Sequence, residues 1–210
     1  MHDDILAGLN PAQREAVTTI KGPVLVLAGP GSGKTRVLAH RIAYLIGSLG
    51  VRAHNILAVT FTNKAAREMD ARLGRLLGES GKGIWLGTFH ANCARILRRE
   101  EQYLPFRSNF VIFDSADQET LVKRAIRDLK LDEKLYRPPS LHAAISTAKN
   151  NLIGPKEYPI RTYRDEVVAR VYQRYNELLL ANNAVDFDDL LLLTVRLLQE
   201  NDDVRERYAR

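Results

Sequence analysis

Three glycines alternate with other residues at positions 28–35 and are followed at once by a lysine and a threonine. The segment reads Ala-Gly-Pro-Gly-Ser-Gly-Lys-Thr, which is a small residue, four residues and then Gly-Lys-Thr. This spacing predicts a loop whose backbone N–H groups surround a phosphate. Lys34 would reach the β- and γ-phosphates, and the Thr35 hydroxyl would ligate Mg²⁺. The loop therefore predicts a site for a nucleoside triphosphate with magnesium.

The segments on either side of the loop are those that would hold it in place. Residues 23–27 read Pro-Val-Leu-Val-Leu and predict a buried strand, and a helix is expected over residues 34–48. The N-terminus of that helix would direct its positive end at the phosphates. The other interpretation is a glycine-rich turn with an incidental lysine. The complete order of strand, glycines, Gly-Lys-Thr and helix favours the phosphate site.

Composition sets limits on where the chain works. Hydrophobic residues make up 45% and charged residues 27% of the 210, which is ordinary for a globular domain. No apolar run approaches the ~20 residues needed to span a bilayer. The acidic start does not resemble a signal peptide, and the single Cys93 excludes an internal disulfide and a cysteine-based zinc site. We expect a cytoplasmic protein without a membrane partner.

The positive charge is concentrated in the first half of the chain. The net charge is +6, and residues 1–100 contain 14 Lys and Arg against 7 Asp and Glu. The basic excess therefore accompanies the phosphate loop. It favours a polyanionic partner such as nucleic acid, although phosphate-binding domains are often mildly basic in any case.

The first hundred residues alternate strand and helix patterns. Strands are predicted at 56–61 and 84–86, with a helix over 63–77 between them and another beginning near His90. This order predicts an α/β fold with a parallel, nucleotide-binding sheet. After residue 100 one strand-like run remains, at 110–113, and the chain becomes nearly all helical. The helices are expected over 116–130, 138–150, 163–182 and 187–200, with a turn at 182–184.

Polar and aromatic residues follow both of the later predicted strands. Phe61, Thr62 and Asn63 come after the first, at the sheet edge where ligands bind in open α/β folds. Phe61 could stack on a base, or it could belong to the core with Thr62 and Asn63 as a helix cap. Gly87-Thr88-Phe89-His90 ends the other strand. His90 has no partner at a spacing that suits catalysis or metal binding, so a nucleic-acid contact or a buried, hydrogen-bonded histidine is expected.

Three aspartates crowd together at 186–189, in Asp-Phe-Asp-Asp. They could form a metal site, but a helix cap followed by an acidic first turn explains them without a metal. Phe187 is the more informative residue, because it is an aromatic at an exposed helix start.

Taken together, these segments resemble the UvrD/PcrA/Rep family of superfamily 1 DNA helicases, and most closely its PcrA-like members. Leu9-Asn10-Pro11-Ala12-Gln13 is similar to the family's adenine-reading Q motif, and residues 28–35 are similar to motif I. Residues 59–69 resemble motif Ia, and 87–90 resemble motif Ib. Residues 186–190 resemble a family element whose aromatic packs on a DNA base. The resemblance covers nearly the whole chain.

The resemblance implies ATP with Mg²⁺ as the bound nucleotide, and single-stranded DNA and single-strand/duplex junctions as partners. The ATP contacts that it implies are Gln13, Ala28, Gly29, Pro30, Gly31, Ser32, Gly33, Lys34, Thr35 and Arg36. Lys34 and Thr35 would be the catalytic members, and Thr35 the magnesium ligand. The DNA contacts that it implies are Phe61, Thr62, Asn63, Thr88, His90 and Phe187. The implied domains are the N-terminal part of the RecA-like motor domain 1A, at 1–100, and helical subdomain 1B, at 101–205.

Part of the family's catalytic machinery is not found in these 210 residues. The family uses an Asp-Glu pair after a buried strand and arginines from a second motor domain. The doublets at 132–133 and 165–166 lie in a helix connection and a helix instead. We therefore expect an N-terminal piece that needs the remainder of the same protein for ATP hydrolysis and 3′–5′ movement on DNA, with a role in repair or replication. A stand-alone, non-catalytic nucleotide- or DNA-binding module is the alternative. The residues that resemble motifs Ia and Ib disfavour a small-molecule kinase.

Overall fold

The computed structural model describes residues 5–209 in two compact units, one ending at Asn92 and the other beginning at Cys93. The first unit contains α1 (Pro11–Thr18), α2 (Lys34–Gly47), β1 (Leu57–Thr60), α3 (Asn63–Leu77), β2 (Trp85–Thr88) and the start of α4 (Phe89–Arg99). The second contains β3 (Val111–Phe113), α5 (Ser115–Asp128), α6 (Pro138–Asn150), α7 (Tyr163–Ala181), β4 (Ala184–Asp186), α8 (Phe187–Glu200) and α9 (Asp202–Ala209). Short 3-10 turns lie at Ala53–Asn55, Gly78–Gly81, Glu101–Tyr103 and Pro155–Glu157.

Side-chain caps set the starts of four helices. In each, a polar residue before the helix and a polar residue in its first turn exchange hydrogen bonds with each other's backbone N–H groups. The pairs are Asn10/Gln13 in α1, Asp114/Asp117 in α5, Thr162/Asp165 in α7 and Asp186/Asp189 in α8. Each of these caps involves residues within one helical turn. Four predicted helices agree with the structure to within one residue, namely those at 34–48, 63–77, 138–150 and 187–200.

The first unit is built around two parallel strands. β1 pairs with β2 in register, from Leu57 opposite Trp85 to Thr60 opposite Thr88. Helices α2 and α3 cover the pair with a core of buried apolar side chains: Ala39, Ile42, Ala58, Met69 and Leu73. The predicted parallel pairing is confirmed. The second strand begins at residue 85 and extends to residue 88, two residues beyond its predicted end.

The expectation of a buried strand at residues 23–27 is wrong for this structure. The segment is not assigned to a strand, and neither two-stranded sheet described over residues 5–209 includes it. Leu25 and Leu27 are 83% and 87% exposed. A central strand becomes buried only when other strands pair with it and helices cover both faces. The apolar run is therefore uncovered in this chain.

The second unit is mainly helical, as predicted. Its core is formed by α5, α6 and α7 and includes the fully buried rings of Tyr172 and Tyr175. The predicted turn at 182–184 is corrected in part, because Ala184 begins strand β4, which pairs in parallel with β3. Helix α9 was not predicted. Helix α7 has 19 residues, and no helix in the described part of the chain is long and apolar enough to cross a membrane.

Candidate nucleotide and nucleic-acid site

The predicted phosphate loop lies directly before α2 and is held by hydrogen bonds from side chains to its own carbonyl oxygens. Gly31 and Gly33 have φ values of +77° and +85°, a conformation that L side chains rarely adopt. The Lys34 ammonium turns back over the loop and donates to the carbonyl oxygens of Ala28 and Gly29, at 3.0 and 2.8 Å. The Ser32 hydroxyl also donates to the Gly29 carbonyl, at 2.7 Å. The Lys34 ammonium thus bridges two neighbouring carbonyl oxygens of the loop.

The residues around this loop fit a triphosphate with its metal ion. Gly33 provides no side-chain cap to α2, so the first N–H groups of that 14-residue helix have no side-chain acceptor from their cap residue. A β-carbon added at Gly29 or Gly31 would meet nothing within 4 Å, so the space beside these two glycines is open. Thr35 stands in the first helical turn with its side chain half-buried. These are the donors and the hydroxyl that an Mg²⁺-bound phosphate requires.

Gln13 is held against the same loop. Its side-chain amide donates to the Ser32 carbonyl at 3.0 Å, while its amide oxygen accepts from the backbone of Asn10. Arg41 of α2 donates to the carbonyl oxygens of Ala16 and Thr19 at the end of α1, which fixes α1 to α2. The structure therefore brings Gln13 to the phosphate loop, 19 residues away in sequence.

The Arg36 side chain lies beside Gly8. A β-carbon added at Gly8 would come within 2.9 Å of the Arg36 guanidinium, so Gly8 allows this arginine to pack against the backbone. Pro30 is exposed in the turn of the loop. The expected role of Arg36 in binding ATP stays a prediction.

The strand ends bring two aromatic rings together. Thr60 and Thr88 are paired across β1 and β2, so Phe61 and Phe89 leave the sheet at the same edge. Their ring centroids are 6.1 Å apart with a tilt of 52°. Phe61 is 92% exposed and Phe89 is 48% exposed. The core interpretation of Phe61 is therefore excluded in this structure, and the ring is available for stacking.

The polar residues next to these rings cap helices. Thr62 accepts a hydrogen bond from the Ala65 backbone at 3.1 Å and is the N-cap of α3. Thr88 accepts one from the Ala91 backbone at 3.2 Å. Asn63 is exposed at the first position of α3, and His90 is half-buried in α4. Capping and DNA contact are compatible, because a helix N-terminus presents N–H groups to a phosphate.

Phe187 begins helix α8 in the second unit and is 47% exposed. The aspartates around it are structural, as expected. Asp186 is the N-cap, and its carboxylate accepts from the Asp189 backbone at 2.8 Å. The described residues contain no group of three or more His, Cys, Asp or Glu side chains that could hold a metal ion.

A buried lysine neutralises part of this acidic helix start. Lys149, 1% exposed, lies 2.7 Å from both the Asp186 and the Asp189 carboxylates. Burial opposes the charge of Lys149, but the two carboxylates outweigh it and raise its pKa. Burial would also raise the pKa of Asp186, yet Lys149 holds that pKa below its usual value. For Asp189, burial raises the pKa to about 6, because Lys149 only partly compensates and Asp186 adds repulsion.

Comparison with known protein families identifies the family of this chain. Residues 9–210 match the model of the UvrD/REP helicase N-terminal domain. The chain belongs to the UvrD/Rep helicase family. Among UvrD/Rep relatives, it is 48% identical over 210 residues to the ATP-dependent DNA helicase PcrA of Bacillus subtilis (strain 168), covering 99% of this chain and 28% of that protein.

Two further UvrD/Rep relatives are similar over the same region. The ATP-dependent DNA helicase PcrA of Leuconostoc citreum is 48% identical over 204 residues, which cover 96% of this chain and 27% of the relative. The protein of the same name from Staphylococcus aureus (strain Mu50 / ATCC 700699) is 44% identical over 206 residues, 97% of this chain and 28% of the relative. The chain thus spans little more than a quarter of the length of these relatives.

Two residues beside the candidate site residues, one in each unit, were missed in the sequence. Phe89 was not singled out, although the dipeptide Thr-Phe ends β1 and recurs at the β2–α4 junction, at 60–61 and 88–89. That repetition was the available signal. Lys149 carried none, because its pairing with Asp186 joins residues 37 apart.

Proposed function

We propose that this chain is the N-terminal part of an ATP-dependent DNA helicase that moves 3′ to 5′ along single-stranded DNA. Residues 1–100 would form the first part of RecA-like motor domain 1A, and residues 101–205 the helical subdomain 1B. The observation that carries the proposal is the exposed Phe61–Phe89 pair at the sheet edge, in a unit that also contains a lysine-centred phosphate loop. Aromatic rings for bases and a triphosphate seat are the two parts that a DNA motor requires.

The ATP-binding half of the proposal assigns one role to each element. Gln13 reads the adenine beside the loop that it already contacts, and residues 28–33 surround the β-phosphate. Lys34 leaves the carbonyl oxygens of Ala28 and Gly29 for the β- and γ-phosphates, which are stronger acceptors. Thr35 would ligate Mg²⁺, which would supply positive charge to the phosphates.

The DNA-binding half assigns stacking to aromatic residues and phosphate contacts to polar ones. Phe61 and Phe187 stack on bases, and the helix starts at Thr62, Asn63 and Thr88 face the sugar-phosphate backbone, with His90 beside them. This division gives little sequence preference, because every base has a π-face. It suits a motor that moves along any single strand up to a junction with duplex DNA.

The chain is proposed to be catalytically incomplete by itself and to work with the remainder of the same protein. The exposed apolar run at 23–27 supports this, since Leu25 and Leu27 have no cover within the described residues. Strands supplied by the remainder would pair with this run and bury it, and would also carry the acidic residues that activate water.

A lysine substitution tests the ATP half in the full-length protein that contains this segment. Lys34→Ala should reduce DNA-stimulated phosphate release at least a hundredfold, because the γ-phosphate loses its cation. Lys21→Ala, which removes an exposed lysine nearby, should leave the rate unchanged. An undiminished rate in Lys34→Ala would refute the assignment of the loop. Robust phosphate release by the isolated 210 residues would refute their incompleteness and favour an independent enzyme.

An aromatic substitution tests the DNA half by fluorescence anisotropy with labelled oligothymidylate. Phe61→Ala should weaken binding by about 1–3 kcal/mol, the contribution of one base stack. Tyr163→Ala provides a control, because Tyr163 is also an exposed aromatic, at 70%, but belongs to α7. Equal affinities for the native protein and Phe61→Ala would remove the strand end from the DNA path.

A further inference from the structure

We propose that Lys149 and Asn150, the last two residues of α6, are positioning residues that hold Phe187 in the orientation in which it stacks on a DNA base. The proposal rests on the proposed function, which makes Phe187 a DNA contact. Neither residue touches DNA in this account. Both act through the aspartates on either side of the ring, at the start of α8.

Lys149 fixes the first turn of α8 from inside the second unit. Its ammonium lies 2.7 Å from Asp186, the residue before Phe187, and 2.7 Å from Asp189, two residues after it. Asp186 also accepts from the Tyr175 hydroxyl at 2.8 Å, and Tyr175 belongs to the fully buried core. The backbone immediately around Phe187 is thereby tied to α6 and α7.

Asn150 completes the attachment from the solvent side. Its side-chain amide donates to the Asp188 carboxylate at 3.2 Å, and Asp188 directly follows Phe187. Asn150 is exposed, whereas Lys149 is buried. These two consecutive residues of α6 therefore bond to the start of α8 from its solvent side and from its core side. All three aspartates that surround Phe187 are therefore bonded to the end of α6.

The energetics favour positioning over stability as the reason for this cluster. Two carboxylates share one buried ammonium, and removing such groups from water costs as much as their attraction returns. Replacing a buried ion pair by apolar side chains of similar volume is often neutral or stabilising. Charged and hydrogen-bonded groups add a defined geometry, because each bond fixes the relative orientation of the groups that it joins. An aromatic ring whose backbone is already fixed loses less conformational freedom on stacking than a mobile one.

The test measures single-strand binding by the full-length protein, using an oligothymidylate that contains one 2-aminopurine, whose fluorescence reports stacking. Asn150→Ala should weaken binding about threefold, as expected for one hydrogen bond, and should increase the 2-aminopurine signal of the complex. Asn151→Ala is the matched control. Asn151 is also exposed and donates to the carbonyl oxygen four residues back, as Asn150 does, but among the described residues its side chain makes no hydrogen bond to α8. It should change neither quantity.

Coupling to Phe187 separates positioning from a general loss of structure. In a Phe187→Ala background, Asn150→Ala should have no further effect, since the ring that it orients is gone. Lys149→Met should weaken binding about tenfold in the native background, in protein whose circular dichroism shows it folded, and much less in the Phe187→Ala background. If Lys149→Met does not fold, the Asn150 arm decides the question by itself.

The outcomes distinguish this inference from the proposed function. If Phe187→Ala binds DNA as the native protein does, the DNA contact itself is refuted, and the inference with it. If Phe187→Ala weakens binding but Asn150→Ala does not, the positioning role is refuted and the contact stands. Equal losses from Asn150→Ala with and without the Phe187 ring would also overturn positioning, because the effect would then not pass through Phe187.

Discussion

The hydroxyl of Tyr175 offers a sharp test of the buried charge cluster. The ring is fully buried in the core of the second unit, and its hydroxyl donates to the Asp186 carboxylate at 2.8 Å. Burial raises the pKa of Tyr175, so the hydroxyl stays protonated and can only donate to that charge. Tyr175→Phe removes the donor and leaves the ring in place, which confines the change to one bond.

Tyr172 provides the comparison from the same helix and the same core. Its ring is equally buried, but its hydroxyl donates to a neutral group, the Ile153 carbonyl, at 3.0 Å. A hydrogen bond to a charged group contributes about 1.5–3 kcal/mol, and one between neutral groups about 0.5–1.5 kcal/mol. We therefore expect Tyr175→Phe to lower the free energy of unfolding by about 2 kcal/mol and Tyr172→Phe by about 1 kcal/mol.

Urea unfolding near neutral pH, followed by far-UV circular dichroism, measures both losses. The midpoint should fall in each variant while the slope stays the same, because neither change alters the surface exposed on unfolding. The larger shift must belong to Tyr175→Phe. Equal shifts, or a larger one for Tyr172→Phe, would refute the assignment of the Tyr175 hydroxyl to an ionised Asp186.

The remaining predictions concern pH and the uncovered apolar run. The pKa of Asp189 is raised to about 6 in the folded chain, so the folded state binds this proton more tightly than the unfolded state does. The stability that the protonated Asp189 contributes is therefore full below pH ~4 and is lost as pH rises to about 6. The native chain should therefore lose up to about 3 kcal/mol across that window relative to Asp189→Asn, measured by urea titration at several pH values; parallel pH profiles would contradict this. Leu27→Ala should change the stability of the 210-residue chain by less than about 0.5 kcal/mol, whereas Leu179→Ala, at a site only 1% exposed, should cost about 2–5 kcal/mol. Similar thermal shifts for the two would show that residues 23–27 are buried after all.

Several features of the fold and the site follow from short stretches of sequence. Helix α8 begins where the cap residue Asp186 predicts it, because a side-chain cap involves residues only three apart. The phosphate loop follows from eight consecutive residues at 28–35. Thr62 is the cap that its position suggested, and Phe187 is exposed as its place at a helix start indicated. In each case the deciding interactions lie within one helical turn or one loop.

What the sequence by itself determined is therefore most of the helices, whose caps are local, and the glycine-rich loop at 28–35 that precedes α2. The tertiary structure decided that Phe61 faces solvent beside Phe89, because that depends on the register of β1 against β2. It decided that Lys149 pairs with aspartates 37 and 40 positions away. It also decided that residues 23–27 lie uncovered, since hydrophobicity predicts that a segment will be buried only where the fold provides partners to bury it.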